Sequence, residues 1–192
     1  MLNIQVILGS TRKERRGEHV ARWVMERANI AGEFQADLID LAEYPLPFYE
    51  ETMSPVGHHG NYASEAPRRF VEKIAQAEGY IMVTPEYNHS FSAVLKNALD
   101  HGYYEWNNKP AAFVSYSGGG VGGARAVEQL RLVVIELQMA PIRESVHIGG
   151  VRQIFDDQGR ISVTTYDERL AALFRQLRWW GDALKAARER TA

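Results

Sequence analysis

Leu2-Asn3-Ile4-Gln5-Val6-Ile7-Leu8 runs straight into Gly9-Ser10-Thr11-Arg12, and the reading of this junction decides the fold. A near-continuous branched apolar run is the pattern of a strand covered on both faces, as in parallel sheets sandwiched between helices. Gly9 breaks the run. Residues 17 to 30 then set Val20, Trp23, Val24 and Ala28 at three- and four-residue spacing, the apolar stripe of a helix. A buried strand, a polar turn and an amphipathic helix together open a βαβ unit.

The same alternation repeats outward. Phe34 to Leu41, Tyr80-Ile81-Met82-Val83, Ala111 to Tyr116 and Ile142 to Ile148 read as strands two to five. Helices are expected over Ala66 to Ala77, Phe91 to Leu99, Ala124 to Met139 and Asp167 to Arg188. Pro85 stops the third strand, Pro141 ends the long helix before the fifth, and Ser90 reads as an N-cap. Five strands alternating with helices predict an α/β, flavodoxin-like doubly wound parallel sheet of order 2-1-3-4-5 rather than a dinucleotide-binding order. Residues 151 to 164, with Asp156-Asp157-Gln158-Gly159 as turn residues, read as an irregular hairpin ahead of the last helix. The expectation is one domain over 1–192, with 150–192 as a C-terminal extension. Glu43 to Ser64 carries Pro45, Pro47, Pro55, Gly57 and Gly60, and reads as a lid or contact loop.

Composition narrows the function classes. A net charge of -2 with scattered Lys and Arg gives no nucleic-acid footprint. No cysteine means no thiolate nucleophile and no Cys-type zinc site. The six histidines show no His-x-x-x-His pair, and His58 and His59 are adjacent and point different ways, so no metal is expected. The first residues are too short an apolar run for a signal peptide, and no stretch approaches the ~20 apolar residues of a membrane span, which leads to a cytoplasmic expectation with no membrane partner. Ser117 lacks the glycine two residues earlier that a hydrolase elbow needs, since Ser115 stands there.

Three strand-to-helix turns carry the chemistry. Gly9-Ser10-Thr11-Arg12, with Arg15 and Gly17, places hydroxyls, guanidiniums and backbone N–H groups where a helix begins, a setting for phosphate or for an ordinary capped turn. Pro85-Glu86-Tyr87-Asn88-His89-Ser90 offers backbone groups and an aromatic wall to a flat ring, although Tyr87 also reads as core or as an oligomer contact. Ser117-Gly118-Gly119-Gly120-Val121-Gly122-Gly123 matches Gly-x-Gly-x-x-Gly, but after the fourth strand, so close backbone approach to a ligand or positive φ explains it better than a dinucleotide fingerprint.

Gly9-Ser10-Thr11-Arg12, Thr84-Pro85-Glu86-Tyr87-Asn88-His89-Ser90 with Leu95 to Asp100, and Ser115-Tyr116-Ser117-Gly118-Gly119 with Gly122-Gly123-Ala124-Arg125 resemble the NADPH-dependent FMN reductase family over roughly residues 1 to 148. The resemblance implies noncovalent FMN, hydride from NADPH or NADH, and onward transfer to a quinone, flavin, azo dye or similar small electron acceptor. It implies Gly9, Ser10, Arg12, Arg15 and Gly17 around the FMN phosphate. Pro85, Glu86, Tyr87, Asn88 and Ser90 would line the isoalloxazine, and Ser117, Gly118 and Gly119 would meet its pyrimidine side. No catalytic side chain is implied, because the cofactor carries the chemistry. Many members have Ser and Asn where this chain has Arg15 and Gly17.

Tyr103-Tyr104-Glu105-Trp106 and Trp179-Trp180 read as core or as interface, and a homodimer or homotetramer is expected. The alternative function is a flavodoxin-type electron carrier without a nicotinamide site. Such carriers are strongly acidic, and this chain is nearly neutral.

Overall fold

The computed structural model describes residues 1–156, 158–161 and 163–191. Five parallel strands, β1 (Leu2–Leu8), β2 (Phe34–Asp40), β3 (Gly79–Pro85), β4 (Pro110–Tyr116) and β5 (Ala140–Ile148), pair in the order β2-β1-β3-β4-β5. The doubly wound topology is therefore as the sequence predicts. Every residue of β3 and β4 is buried, which is why they read as unbroken apolar runs. β5 lies at the sheet edge, where Pro141 pairs with Ala111 next to a register shift. Proline is tolerated there because an edge strand has one unpaired side.

Helices cover both faces. On one side α1 (Gly17–Ala31) and the last helix, α7 (Thr164–Thr191), pack Val20, Trp23, Val24, Leu170, Leu173, Phe174 and Leu177 against Ile4, Val6, Ile81, Val114 and Val146. Gly181 lets α7 lie close, since a Cβ there would come to 2.5 Å from Leu2 Cδ1. On the other face α3 (Glu65–Ala75), α4 (Ala93–Asp100) and α5 (Ala124–Glu136) bury Phe70, Ile74, Leu95, Leu99, Leu130 and Val134 against Ile7, Tyr80, Met82 and Phe113. Each such fully buried side chain contributes about 1.5–3 kcal/mol of transfer free energy. No helix among the described residues is long and apolar enough to cross a membrane.

Two local expectations are corrected and a third is shortened. Ser92, not Ser90, caps α4: its Oγ accepts from Leu95 N at 3.2 Å and donates to Gly9 O at 2.5 Å. α5 stops well before Pro141, at Glu136, and Gln138, at a φ of 55°, turns the chain toward β5. The irregular hairpin expected over 151–164 is present in shorter form: after a short helix α6 (Val151–Ile154), an antiparallel bridge joins Phe155 to Ile161, with Gly159 N donating to Asp156 O at 3.0 Å. Asp157, which the turn reading included, lies outside the described residues, as do Ser162 and Ala192.

The stretch 43–64 is not structureless. It holds a short helix, α2 (Pro55–His58), and is pinned to α4 and to the chain just beyond it, with Tyr62 OH donating to His101 O at 2.5 Å and Asn97 Nδ2 to Pro47 O at 2.9 Å. Trp106 is core, fully buried against Tyr80 and Phe70. Trp179 is 65% exposed.

Candidate active site

In register, Leu8 pairs with Asp40 and Val83, Pro85 with Tyr116 and Tyr116 with Ile148, so the turns after β1, β3 and β4 leave one edge of the sheet side by side. A parallel sheet places all its carboxyl ends together, and the crevice outside them is where such folds bind ligands. A cleft of about 820 Å³ opens there. It is lined by eight residues singled out from the sequence: Ser10, Arg12 and Arg15 from the first turn, Pro85, Glu86 and Tyr87 from the second, and Ser117 and Gly118 from the third.

The other five stand under or beside it. Gly9 is the floor: its N donates to Val83 O at 2.8 Å, and a Cβ would press on that oxygen at 3.0 Å. Gly17 opens α1 beneath the cleft, where a Cβ would collide with the Tyr116 hydroxyl and come to 2.8 Å from Leu8 Cδ1. Asn88 and Ser90 belong to a tight turn closed by Tyr87 N to Ser90 O at 2.8 Å and Ser90 N to Tyr87 O at 3.0 Å. Asn88 and His89 both adopt positive φ, 51° and 69°, as a two-residue type I′ turn requires. Gly119 is exposed on the rim and accepts from Ser117 Oγ at 2.8 Å.

The glycine run divides by role. Gly122 and Gly123 have φ of 67° and 87° and lie so close to His147 and Ser115 that any Cβ would clash. At Gly118, Gly119 and Gly120 a Cβ meets nothing within 4 Å, so these backbones face open space. The run is anchored from below: Ser115 Oγ donates to Gly122 O at 2.8 Å and lies 2.7 Å from His147 Nδ1. Burial, and then the charges of Arg131 and Arg169, push His147 below the usual histidine range, so it is a neutral partner in this network.

Charges in the cleft are unevenly committed. Arg15 donates to Asp40 Oδ1 at 2.9 Å and Oδ2 at 2.5 Å, to Glu18 at 3.0 Å, and to Ser10 O. Burial pulls its guanidinium down, but Asp40 and Glu18 outweigh that and leave it above its ordinary value. Arg12 is exposed, and its guanidinium has no partner among the described residues. The amides of Ser10, Thr11 and Lys13 have no backbone acceptor among the described residues. Glu86, with its side chain 5% exposed, takes Arg125 Nε on Oε1 at 2.7 Å, while its buried Oε2 has no partner among the described residues. Ser10 Oγ lies 3.3 Å from Tyr87 OH, linking the first two turns.

The cleft also recruits residues that sequence reasoning did not select: Lys13, Glu14, Arg16, Glu18, His19, Tyr116, Val151 and Arg152. Burial, reinforced by Tyr87, raises the Tyr116 phenol, which stays protonated. Tyr116 was within reach of the sequence, since it directly precedes Ser117 at the strand end. Nothing local to Arg16 or Arg152 signals a lining position.

A second cleft of about 580 Å³ is lined by Thr11 of the first turn and by Leu41, Tyr44, Leu46, Phe48, Val94 and Ala98 among others. No group of three or more potential metal ligands occurs among the described residues.

Comparison with known proteins gives the family and the fold. The chain is 40% identical over 140 residues to an NAD(P)H-dependent FMN reductase of Schizosaccharomyces pombe, covering 72% of this chain and 69% of that one. It is 32% identical over 169 residues to a quinone reductase of Pseudomonas putida, covering 85% and 86%. The solved flavoenzyme NAD(P)H:(acceptor) oxidoreductase FerB from Paracoccus denitrificans superposes with a TM-score of 0.79 over 95% of this chain and 98% of its own, at 22% identity, a likeness of fold. The sequence profile of the NADPH-dependent FMN reductases matches residues 2–153, and the chain belongs to that family.

Proposed function

We propose that the cleft holds FMN and that the chain passes hydride equivalents from NAD(P)H through it to a quinone, a flavin, an azo compound or a similar small acceptor. One observation carries this reading: the turns after β1, β3 and β4 converge on a single cleft whose walls differ in the way the parts of FMN differ. Cations and unpaired amides gather at the first turn, an aromatic wall stands at the second, and bare glycine backbone at the third.

When bound, FMN supplies the redox chemistry, accepting a hydride equivalent from the nicotinamide and yielding two electrons to the acceptor. The residues of the chain bind and orient. Ser10, Arg12 and the amides ahead of α1 hold the phosphate, with the positive end of the helix behind them. Arg15 has its donors engaged with Asp40, Glu18 and Ser10 O, and so stiffens the turn that presents these groups. Pro85, Glu86 and Tyr87 line the ring, with Asn88 and Ser90 completing their turn. Ser117, Gly118 and Gly119 face its polar edge, where the absence of side chains leaves room for close approach. Arg125 fixes Glu86 and so joins the second turn to the start of α5. No side-chain acid or base is assigned to the transfer.

The acceptor space and the assembly belong to the same proposal. Phe48, 82% exposed, projects beside the second, mainly apolar cleft, and Met53, Val56 and Tyr104 are also exposed. A knob and a hole on one surface suit a two-fold contact, which supports a homodimer or homotetramer. A cytoplasmic setting fits a reductase fed by NAD(P)H.

Rapid mixing of the FMN-loaded protein with NADPH under anaerobic conditions tests the activity. Loss of the flavin absorbance near about 450 nm, followed by its return on adding a quinone, is the expected result. A protein that holds FMN but stays yellow with NADPH is a carrier, and the enzyme reading falls.

A further inference from the structure

The segment after β5 belongs to none of the three turns, yet it forms a wall of the cleft. Ser117 N donates to Ile148 O at 3.1 Å, Gly150 N to Gly119 O at 3.2 Å and Val151 N to Ser117 O at 3.0 Å, so this segment is laced to the glycine turn. Its other side is held on α1. Phe155 is buried, stacks on His19 with ring centroids 6.3 Å apart, and meets Trp23 edge-on at 6.4 Å. Gly159, at φ 76°, lets the chain pass over the same histidine, because a Cβ there would collide with His19 Nδ1. These anchors fix α6 and leave Arg152 on the cleft wall with Arg12, Lys13 and Arg16.

The cations at that mouth differ from their neighbours in being unpaired. Arg15 is matched by Asp40 and Glu18, Arg27 by Asp167, Arg125 by Glu86 and Arg160 by Asp156. Arg12, Lys13, Arg16 and Arg152 make no ion pair among the described residues, and against these cations stand Glu14 and the single negative charge by which Asp40 and Glu18 together exceed Arg15. Like charges set around a concavity concentrate anions there. The guanidinium fork matches the oxygens of a phosphate bidentately and with full charge, a closer match than it makes with a flat neutral ring.

We propose that Arg152 is a phosphate-binding residue, which with Arg12, Lys13 and Arg16 holds a phosphate monoester dianion in the cleft. The inference rests on the flavin reading. Two ligands of that reaction carry such a group, FMN at its 5′-phosphate and NADPH at its 2′-phosphate, and the test separates them.

Arg152 is exposed, so Arg152→Gln leaves the packing intact. Arg143→Gln, at a side chain 85% exposed and paired with the neighbouring Glu144, controls for loss of one positive charge. Each protein is titrated with FMN and with riboflavin, and KM is then measured for NADPH and for NADH at saturating FMN. Arg152→Gln is expected to weaken the phosphate-bearing member of one pair about ten- to a hundredfold, the range of a lost charge-assisted bond, and to leave its phosphate-free counterpart within about twofold. A selective effect on FMN assigns the flavin phosphate, and one on NADPH assigns the nucleotide. Equal loss in both members of each pair, no loss in any, or the same selectivity in Arg143→Gln overturns the inference. Wild-type protein that binds neither FMN nor riboflavin overturns the flavin reading before any variant is compared.

Discussion

A methyl group added at two glycines of the same cleft is expected to do opposite things. At Gly17 it strikes the Tyr116 hydroxyl and Leu8, both held in the core, so Gly17→Ala is expected to lower stability by about 1–3 kcal/mol, read from the denaturant midpoint of the flavin-free protein. At Gly118 it enters open space, so Gly118→Ala is expected to leave that midpoint unchanged and weaken FMN binding by filling room meant for the ring. An arginine pair gives the same contrast. Arg12→Ala is expected to cost about 1–3 kcal/mol of FMN affinity with little loss of stability, since its exposed guanidinium makes no hydrogen bond or ion pair among the described residues. Arg15→Ala strands Asp40 and is expected to lower the melting temperature as well. Ser10, Arg12, Tyr87 and Ser117 were legible in the sequence because each sits where an apolar run stops. The commitment of Arg15 was not, because its partner Asp40 ends a different strand and only pairing of β1 with β2 brings them together.

At the scale of elements, what was hardest to read was where each one ends. Two serines flank Phe91, and only the approach of the first turn selects Ser92, whose hydroxyl serves both the α4 amide and Gly9 O. Ser92→Ala is therefore expected to destabilise by about 1–2 kcal/mol, the cost of a lost helix cap, and to loosen the first turn, visible as faster amide exchange around Gly9. α5 ends at Glu136 and the chain turns at Gln138, a residue with no sequence signal for a left-handed turn, while the conspicuous Pro141 fits an edge strand. Strand and helix interiors were legible because periodicity is set by burial, and burial here follows the two faces of one sheet. The 151–161 segment was not, because it is held by Phe155 on α1 and by backbone bonds to the glycine turn rather than by any pattern of its own.

Across the whole molecule, the end of the sheet opposite the cleft holds a buried cation. Lys109 Nζ donates to Ala75 O at 3.0 Å and to Tyr80 OH at 3.3 Å, and burial, with Arg188 nearby, pushes its pKa down from 10.5 to about 8. The folded state thus gives up this proton before the unfolded chain does. Stability is expected to rise with pH from 8 to about 9.5, and Lys109→Met to flatten that rise, measured by denaturant unfolding at each pH. Above that window Tyr80, whose phenol burial raises well above 10, opposes the gain, because the unfolded chain then loses a proton that the folded state keeps. On the outer surface Phe48→Glu is expected to shift the assembly toward monomer in analytical ultracentrifugation. The strand order was legible because five apolar runs alternate with helices. The assembly surface was not, since exposed aromatics read alike whether they face solvent or a partner. The central claim, that this sheet edge grips FMN, is tested most directly by titrating the flavin-free protein with FMN while following flavin fluorescence and thermal unfolding. Saturable quenching with a melting temperature that climbs with FMN is the predicted result. Unquenched fluorescence and a fixed melting temperature at millimolar FMN would contradict it.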